Sequence, residues 1–389
     1  MRMSTSRWPR RAAALALGLL LAPCVGEVGA RVYPPDAGAA LLYNAPAGTP
    51  PDMFRYDSAG RLVPNPGFDG HYEWLDHSVS VRFDSRGLRG PETLPPAPRW
   101  LSVGDSFVLA RQVDEADTFM ALASPGLGAN LINAGMDGYA TWDYLARYLA
   151  LDPVVEAEAV LVTLFVGNDP AQDDGPSAIP RGGDPFARVP LAPHADTADN
   201  AFALFRIAHE SPTPTEAFLF RHSALFAWWR VFDALAARDP LDQQRQARFR
   251  QELLPFSEEG ASKVQRLAGA TGNALDAFKR LASARGDRLL VAVAPASFAL
   301  DAASTSATLH TFGLDASRPA PTSLHDAIVA RARDQRIDTC DLRPALVAAR
   351  QGGEEPYFRF EGHWNQAGHR AVAEALVRCF AGSTGATGW

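Results

Sequence analysis

The chain has 389 residues, 47% of them hydrophobic and 21% charged, with a formal net charge of −7. This length suits one large α/β domain or two smaller ones, and the mild acidity excludes the basic footprint of a nucleic-acid binder. Lysine occurs only at Lys263 and Lys279 while arginine is abundant, a coding bias rather than a phosphate-binding device, and no repeat marks a solenoid or propeller.

Residues 1–30 have the profile of a signal peptide or an N-terminal membrane anchor. Arg2, Arg7, Arg10 and Arg11 precede an apolar run over 12–25, and the first acid is Glu27. Val28-Gly29-Ala30 offers a small-residue cleavage site. The run is shorter than the roughly 20 apolar residues of a full span, and Pro23 before Cys24 argues against lipoprotein processing. Export is therefore expected, to the periplasm or beyond, with a tether to the inner membrane if the segment is kept.

Residues 31–98 form a Pro/Gly-rich extension in which alternating pieces such as "HSVSVRFDS" (77–85) read as short strands. "PPAPRW" (95–100) marks a boundary. Over 99–382 the pattern becomes apolar strand, polar loop, amphipathic helix. Strands that are continuously apolar or nearly so are expected at 100–103, 131–134, 160–166, 289–294 and 337–342, the mark of a parallel sheet covered on both faces. Helices are expected at 142–149, 274–284 and 367–380. The fold class is α/β, a three-layer α/β/α sandwich whose five parallel strands follow the flavodoxin-like order 2-1-3-4-5.

Residues 171–260 are surplus to that sheet and form an insertion. Within it, 171–200 reads as a loop beside the site, and 214–235 as a long aromatic helix whose aromatic face is expected to pack on the core, or alternatively to wall an acyl or glycan pocket. Cys340 and Cys379 can form a disulfide in an oxidising compartment or remain two buried thiols.

Ligands of such sheets sit outside the carboxyl ends of the strands. The first three strands lead into Gly104-Asp105-Ser106, Gly135-Met136-Asp137-Gly138 and Gly167-Asn168-Asp169, and the last into a loop ending in "FEGHWNQAGH" (360–369). Ester hydrolysis by serine needs a hydroxyl, a base and donors for the developing oxyanion. Ser106 offers the hydroxyl and His363 the imidazole. The backbone N–H groups of Ser106 and Gly138 and the neutral amide of Asn168 offer the donors. Glycine at 138 is expected because a side chain would hold the N–H away from substrate. Asp105 reads as a turn former, Asp169 as an Asx-turn, and His369 as structural rather than one of a metal pair. Ser106 could alternatively serve only as a helix cap.

The blocks "GDSF", "NAGMDGYAT", "GND" and "HWNQAGH", in that order and with "DSRGLRG" (84–90) upstream, resemble the SGNH (GDSL-type) hydrolase superfamily over roughly residues 100–380. The resemblance implies Ser106 as nucleophile and oxyanion donor, Gly138 and Asn168 as further donors, and His363 as base. Where relatives carry aspartate before the histidine, this chain has Glu361, which can accept the imidazole Nδ1–H in the same way. The implied activity is a serine esterase or deacylase working through an acyl-enzyme on a small-molecule or glycan acyl ester, with no metal or organic cofactor. O-acyl transfer to a cell-envelope polysaccharide, or glycan binding by a catalytically degenerate member, are the competing readings.

Overall fold

The computed structural model describes residues 8–32, 52–57, 62–73, 78–174, 215, 218–219, 222–226, 228–229, 240–358 and 362–381. The chain opens with helix α1 (Trp8–Val32) and two antiparallel hairpins, β1 (Phe54–Tyr56) with β2 (Leu62–Pro64) and β3 (Asp69–Glu73) with β4 (Ser78–Arg82). In β4 burial alternates, with Val79 and Val81 inward and their neighbours exposed, as the two-residue period of a half-covered strand requires. Among the described residues, no helix is long and apolar enough to cross a membrane.

The αβ unit begins with β5 (Arg99–Gly104) and the one-turn α2 (Ser106–Leu109), followed by α3 (Phe119–Leu127), β6 (Asn130–Asn133), α4 (Thr141–Val155), β7 (Ala159–Phe165) and α5 (Asp169–Asp173). After the insertion come α6 (Pro240–Leu253), α7 (Ala261–Arg285), β8 (Arg288–Ala294), α8 (Ala302–Thr311), α9 (Ser323–Asp334), β9 (Asp338–Asp341), α10 (Arg343–Gln351) and α11 (Gln366–Phe380). The five strands pair in parallel in the order β6-β5-β7-β8-β9, which is 2-1-3-4-5 in order of appearance.

Strands β5 to β8 each feed two cores. Val160, Val162 and Leu164 of β7 face one side with Tyr148, Leu275 and Leu281, while Leu161 faces the other with Phe119, Leu376 and Phe380. Burial on both faces is why these strands read as unbroken apolar runs. Truncating one such residue, Leu161→Ala for instance, removes transfer energy and leaves a cavity, at a cost of roughly 2–5 kcal/mol.

Two expectations need correcting. The helix expected at 274–284 is α7 and begins at Ala261. Gly269 and Gly272 interrupt its apolar pattern, but Gly272 has a packing reason: a Cβ there would meet Arg331 Nε at 2.6 Å. At the end of the insertion, Leu253, Leu254 and Phe256 are buried in the core, and Phe256 packs edge-on against Phe298. The loop expected over 171–200 lies outside the described residues beyond Asp174. Of the helix expected over 214–235, the described residues are helical except at Ser223, and Phe218 and Trp229 are exposed rather than packed on the core. Cys340 of β9 and Cys379 of α11 are joined in a disulfide with Cα atoms 5.7 Å apart.

Candidate active site

At the carboxyl end of β5 the chain must turn sharply into α2. Gly104 permits this, since a Cβ would lie 2.2 Å from Val108 Cγ2 and 3.0 Å from the Thr163 carbonyl oxygen. Asp105 is the cap: its Oδ1 accepts the Phe107 N–H at 2.9 Å. Ser106 is therefore not consumed as a cap. It stands at the first turn, partly exposed, with Oγ 2.5 Å from His363 Nε2.

His363 precedes α11, whose N-cap is Asn365. Its carbonyl accepts the Phe358 N–H at 2.8 Å, and the Gly362 N–H bonds the Phe358 carbonyl at 3.0 Å. The Phe107 ring lies 4.6 Å from the imidazole, and buried Trp364 sits edge-on to Phe107 at 4.8 Å. The residue after the serine thus helps fix the imidazole by packing. Glu361, expected to orient His363, lies outside the described residues.

Gly138 follows β6 with φ +74°, a left-handed conformation that favours glycine. Among the described residues no protein atom lies within 4 Å of a Cβ built at 138, so within the chain itself it is the left-handed backbone that favours glycine. Crowding acts at Gly135, where a Cβ would sit 2.1 Å from the Leu109 nitrogen. The loop is anchored to α2 by Asn133, whose Nδ2 donates to the Val108 carbonyl at 2.8 Å while its Oδ1 accepts the Gly135 N–H at 3.0 Å. Next to Gly138, Asp137 forms a buried ion pair with Arg111 at 2.8 Å, and Arg111 lies over the Tyr72 ring at 4.4 Å.

Asn168 is the N-cap residue of α5, yet its side chain makes no capping bond. Its carbonyl accepts the Ala171 and Gln172 N–H groups, both at 3.1 Å, and its amide oxygen is the buried end of a partly exposed side chain. The neighbours hold the loop. Asp169 Oδ2 accepts from Tyr144 Oη at 2.8 Å and from the Phe165 N–H at 2.9 Å. Asp173 accepts from Thr141 and Thr271 hydroxyls, each at 2.7 Å.

Burial sets the protonation of this region. It raises Asp105 to about 7, with the Phe107 N–H and His363 opposing and Asp137 adding to the rise. Asp169 is raised well above the usual carboxylate value by burial and by Asp105 and Asp173. His369, by contrast, is lowered to about 3, chiefly by burial and further by Arg89 and His363. Neutral His369 accepts the Phe119 N–H through Nδ1 at 3.2 Å and stacks on Phe119, which makes it a structural residue. Among the described residues, no group of three His, Cys, Asp or Glu side chains could hold a metal ion.

The geometry therefore brings Ser106 and His363 into contact and pins the loops of Gly138 and Asn168 at the same sheet edge. Sequence reasoning missed the residues that do the pinning. Buried Arg89 donates through Nη1 to the carbonyls of Leu109, at 2.8 Å, and Ala110, and through Nη2 to that of Val113 at 2.6 Å. Its presence in "DSRGLRG" was the available signal. Arg111, Asp137 and Tyr144 gave none.

The family model described as "SGNH hydrolase-like domain, acetyltransferase AlgX" matches residues 250–386. Residues 250–386 therefore carry an SGNH hydrolase-like domain. The matched stretch holds β8, β9 and His363, while Ser106, Gly138 and Asn168 precede it. Solved structures that resemble the chain include a lipolytic protein of the G-D-S-L family from Desulfitobacterium hafniense (11% identity, 73% of this chain and 99% of that one, TM-score 0.35). A G-D-S-L lipolytic protein from Veillonella parvula matches at 12% identity over 72% of this chain and 97% of its own, TM-score 0.34. An acetyl-xylooligosaccharide esterase from a Geobacillus species matches at 10% identity over 74% and 95%, TM-score 0.36. Among curated proteins none matches the chain by sequence.

Proposed function

We propose that this protein is an exported serine esterase or deacylase that hydrolyses an O-acyl ester through an acyl-enzyme. The observation that carries the reading is the 2.5 Å contact between Ser106 Oγ and His363 Nε2 at the carboxyl edge of the sheet. In the first step His363 Nε2 takes the hydroxyl proton as Oγ attacks the acyl carbonyl carbon. The tetrahedral oxyanion is held by the Ser106 and Gly138 N–H groups and by the Asn168 amide. Collapse breaks the ester C–O bond, and His363 returns its proton to the departing alcohol. Water then repeats the sequence on the acyl-Ser106 ester, releasing the acid and restoring both residues. Glu361 holds the imidazole tautomer that keeps Nε2 free to accept.

The reading requires no metal or organic cofactor, and its substrate class is an acyl ester of a small molecule or glycan in the periplasm or outside the cell. A second reading, transfer of the acyl group to a polysaccharide hydroxyl, is favoured by one observation, the acetyltransferase description of the family matched over 250–386. The two share every step up to the acyl-enzyme, after which a sugar hydroxyl replaces water. Acid release from acyl esters of increasing length, measured with and without an added oligosaccharide, distinguishes them. Hydrolysis unaffected by acceptor supports the esterase; acylated sugar formed at the expense of free acid supports transfer. Failure of a fluorophosphonate probe to label Ser106 would overturn both and leave a glycan-binding protein without turnover.

A further inference from the structure

The carboxyl end of α1 does not stand alone. Glu27 reaches a helix start in the insertion that lies 196 residues away in sequence, accepting from Ser223 Oγ at 2.8 Å. It also accepts the Ala224 and Leu225 N–H groups at 2.8 and 3.1 Å. Ser223 Oγ in turn accepts the Phe226 N–H at 3.1 Å. Two side chains thus satisfy three N–H groups of the first turn, which a helix cannot satisfy from within. Arg31 pairs with Glu27 at 2.8 Å and donates to the His222 carbonyl at 3.4 Å. Gly26 allows the close approach, since a Cβ there would lie 3.1 Å from a Leu225 methyl.

The opposite face of α1 is exposed at its described apolar side chains. Leu21, Val25, Val28 and Val32 are each between 51% and 70% exposed. At 3.6 residues per turn they fall within an arc of about 60°, turned away from Glu27 and buried Ala30. Across the junction, Phe218 and Trp229 are 60% and 55% exposed. Exposed aliphatic and aromatic residues on two joined helices need a cover. The charges indicate which: Arg2, Arg7, Arg10 and Arg11 precede the apolar run, the arrangement that anionic headgroups attract and that apolar side chains follow into the interface.

We propose that α1 is retained in the mature protein and that it forms, with the helical stretch around Ser223, one joined helical unit seated on a phospholipid bilayer. Glu27 is the clasp of that unit. Removal of residues 1–30 would take away Glu27 and leave the Ala224 and Leu225 N–H groups without their acceptor.

The test uses the full chain produced with export. Intact mass should show a mature protein that still contains Glu27, and the protein should float with vesicles of phosphatidylethanolamine and phosphatidylglycerol. Phe218→Glu with Trp229→Glu should reduce the vesicle-bound fraction by roughly tenfold, and Val25→Glu with Val28→Glu should do the same if the first pair fails to fold. Ester hydrolysis should be unchanged in both. Glu27→Ala should speed tryptic cleavage around Ser223 several-fold. A mature protein that begins at Arg31 would overturn the proposal, as would flotation that ignores both charged pairs. A dimer in vesicle-free buffer that the charged pairs dissociate would also overturn it, by giving the face to a second copy.

Discussion

Replacing Asn168 with alanine isolates one oxyanion donor, because little else depends on that side chain. Its backbone carbonyl, which holds Ala171 and Gln172, survives the change. The side chain makes no capping bond and its amide oxygen is buried with no hydrogen-bond partner, so its removal should alter stability by no more than about 0.5 kcal/mol. The loop stays in place through Asp169, bonded to Tyr144 and Phe165, and through Asp173. One lost donor raises the barrier by about 3–4 kcal/mol, so kcat should fall by roughly 10²–10³ with KM nearly constant. Steady-state kinetics on p-nitrophenyl acetate, with a melting curve on the same sample, measures both. Tyr144→Phe is the contrasting control, since it takes a partner from buried Asp169 and should lower stability by about 1–3 kcal/mol. If Asn168→Ala raises KM and leaves kcat, the residue binds substrate rather than the oxyanion; a melting point several degrees lower would show that it supports the loop.

Ser106→Ala and His363→Ala should each remove nearly all turnover, on the order of 10⁶-fold, while Glu361→Gln costs about 10⁴ and Glu361→Asp is tolerated; a nearly active Glu361→Gln enzyme would mean a Ser-His dyad. His369 has a folded pKa of about 3 against ~6.5 in the unfolded chain. The unfolded state therefore binds the proton first on acidification. The stability that neutral His369 contributes is complete above pH ~6.5 and lost as pH falls toward ~3, so His369→Gln should melt with a flatter pH dependence across that window than the parent, and parallel curves would refute the assignment. Replacing Cys340 and Cys379 by alanine opens a loop of 39 residues and should lower stability by about 4 kcal/mol if chain entropy dominates, as denaturant unfolding would show.

The sheet was legible because β5, β7 and β8 bury both faces and must be apolar throughout, and their order followed from the alternation with helices. Helices without a broad apolar face were not. The helix α8 is built from Ala, Ser and Thr with only Leu309 as a large buried residue, and α10 buries Leu346 alone. At the site, Ser106, His363 and Asn168 were legible because each comes after a strand's carboxyl end. Residue types alone left Ser106 open as cap or nucleophile; Asp105 fills the cap and leaves the serine hydroxyl to His363. Gly138 was legible as a glycine position from the room a substrate needs, whereas its positive φ, which also favours glycine, was not. The Arg111–Asp137 pair joins two loops through side chains alone, and no period in a sequence encodes such a meeting.

Arg89 lies before the boundary at 95–100 that composition suggests, yet its guanidinium collects the outgoing carbonyls of the turn behind Ser106. The nucleophile's segment is thus held by a hand from the other side of the seam. A shortened gene starting at residue 99 would encode every residue named for chemistry and still deliver them slack, because part of the mould was cast in the segment that leads into the sheet. The same holds for transplantation: grafting this site onto another scaffold means carrying Arg89 with it, and the unit of inheritance is larger than the sheet.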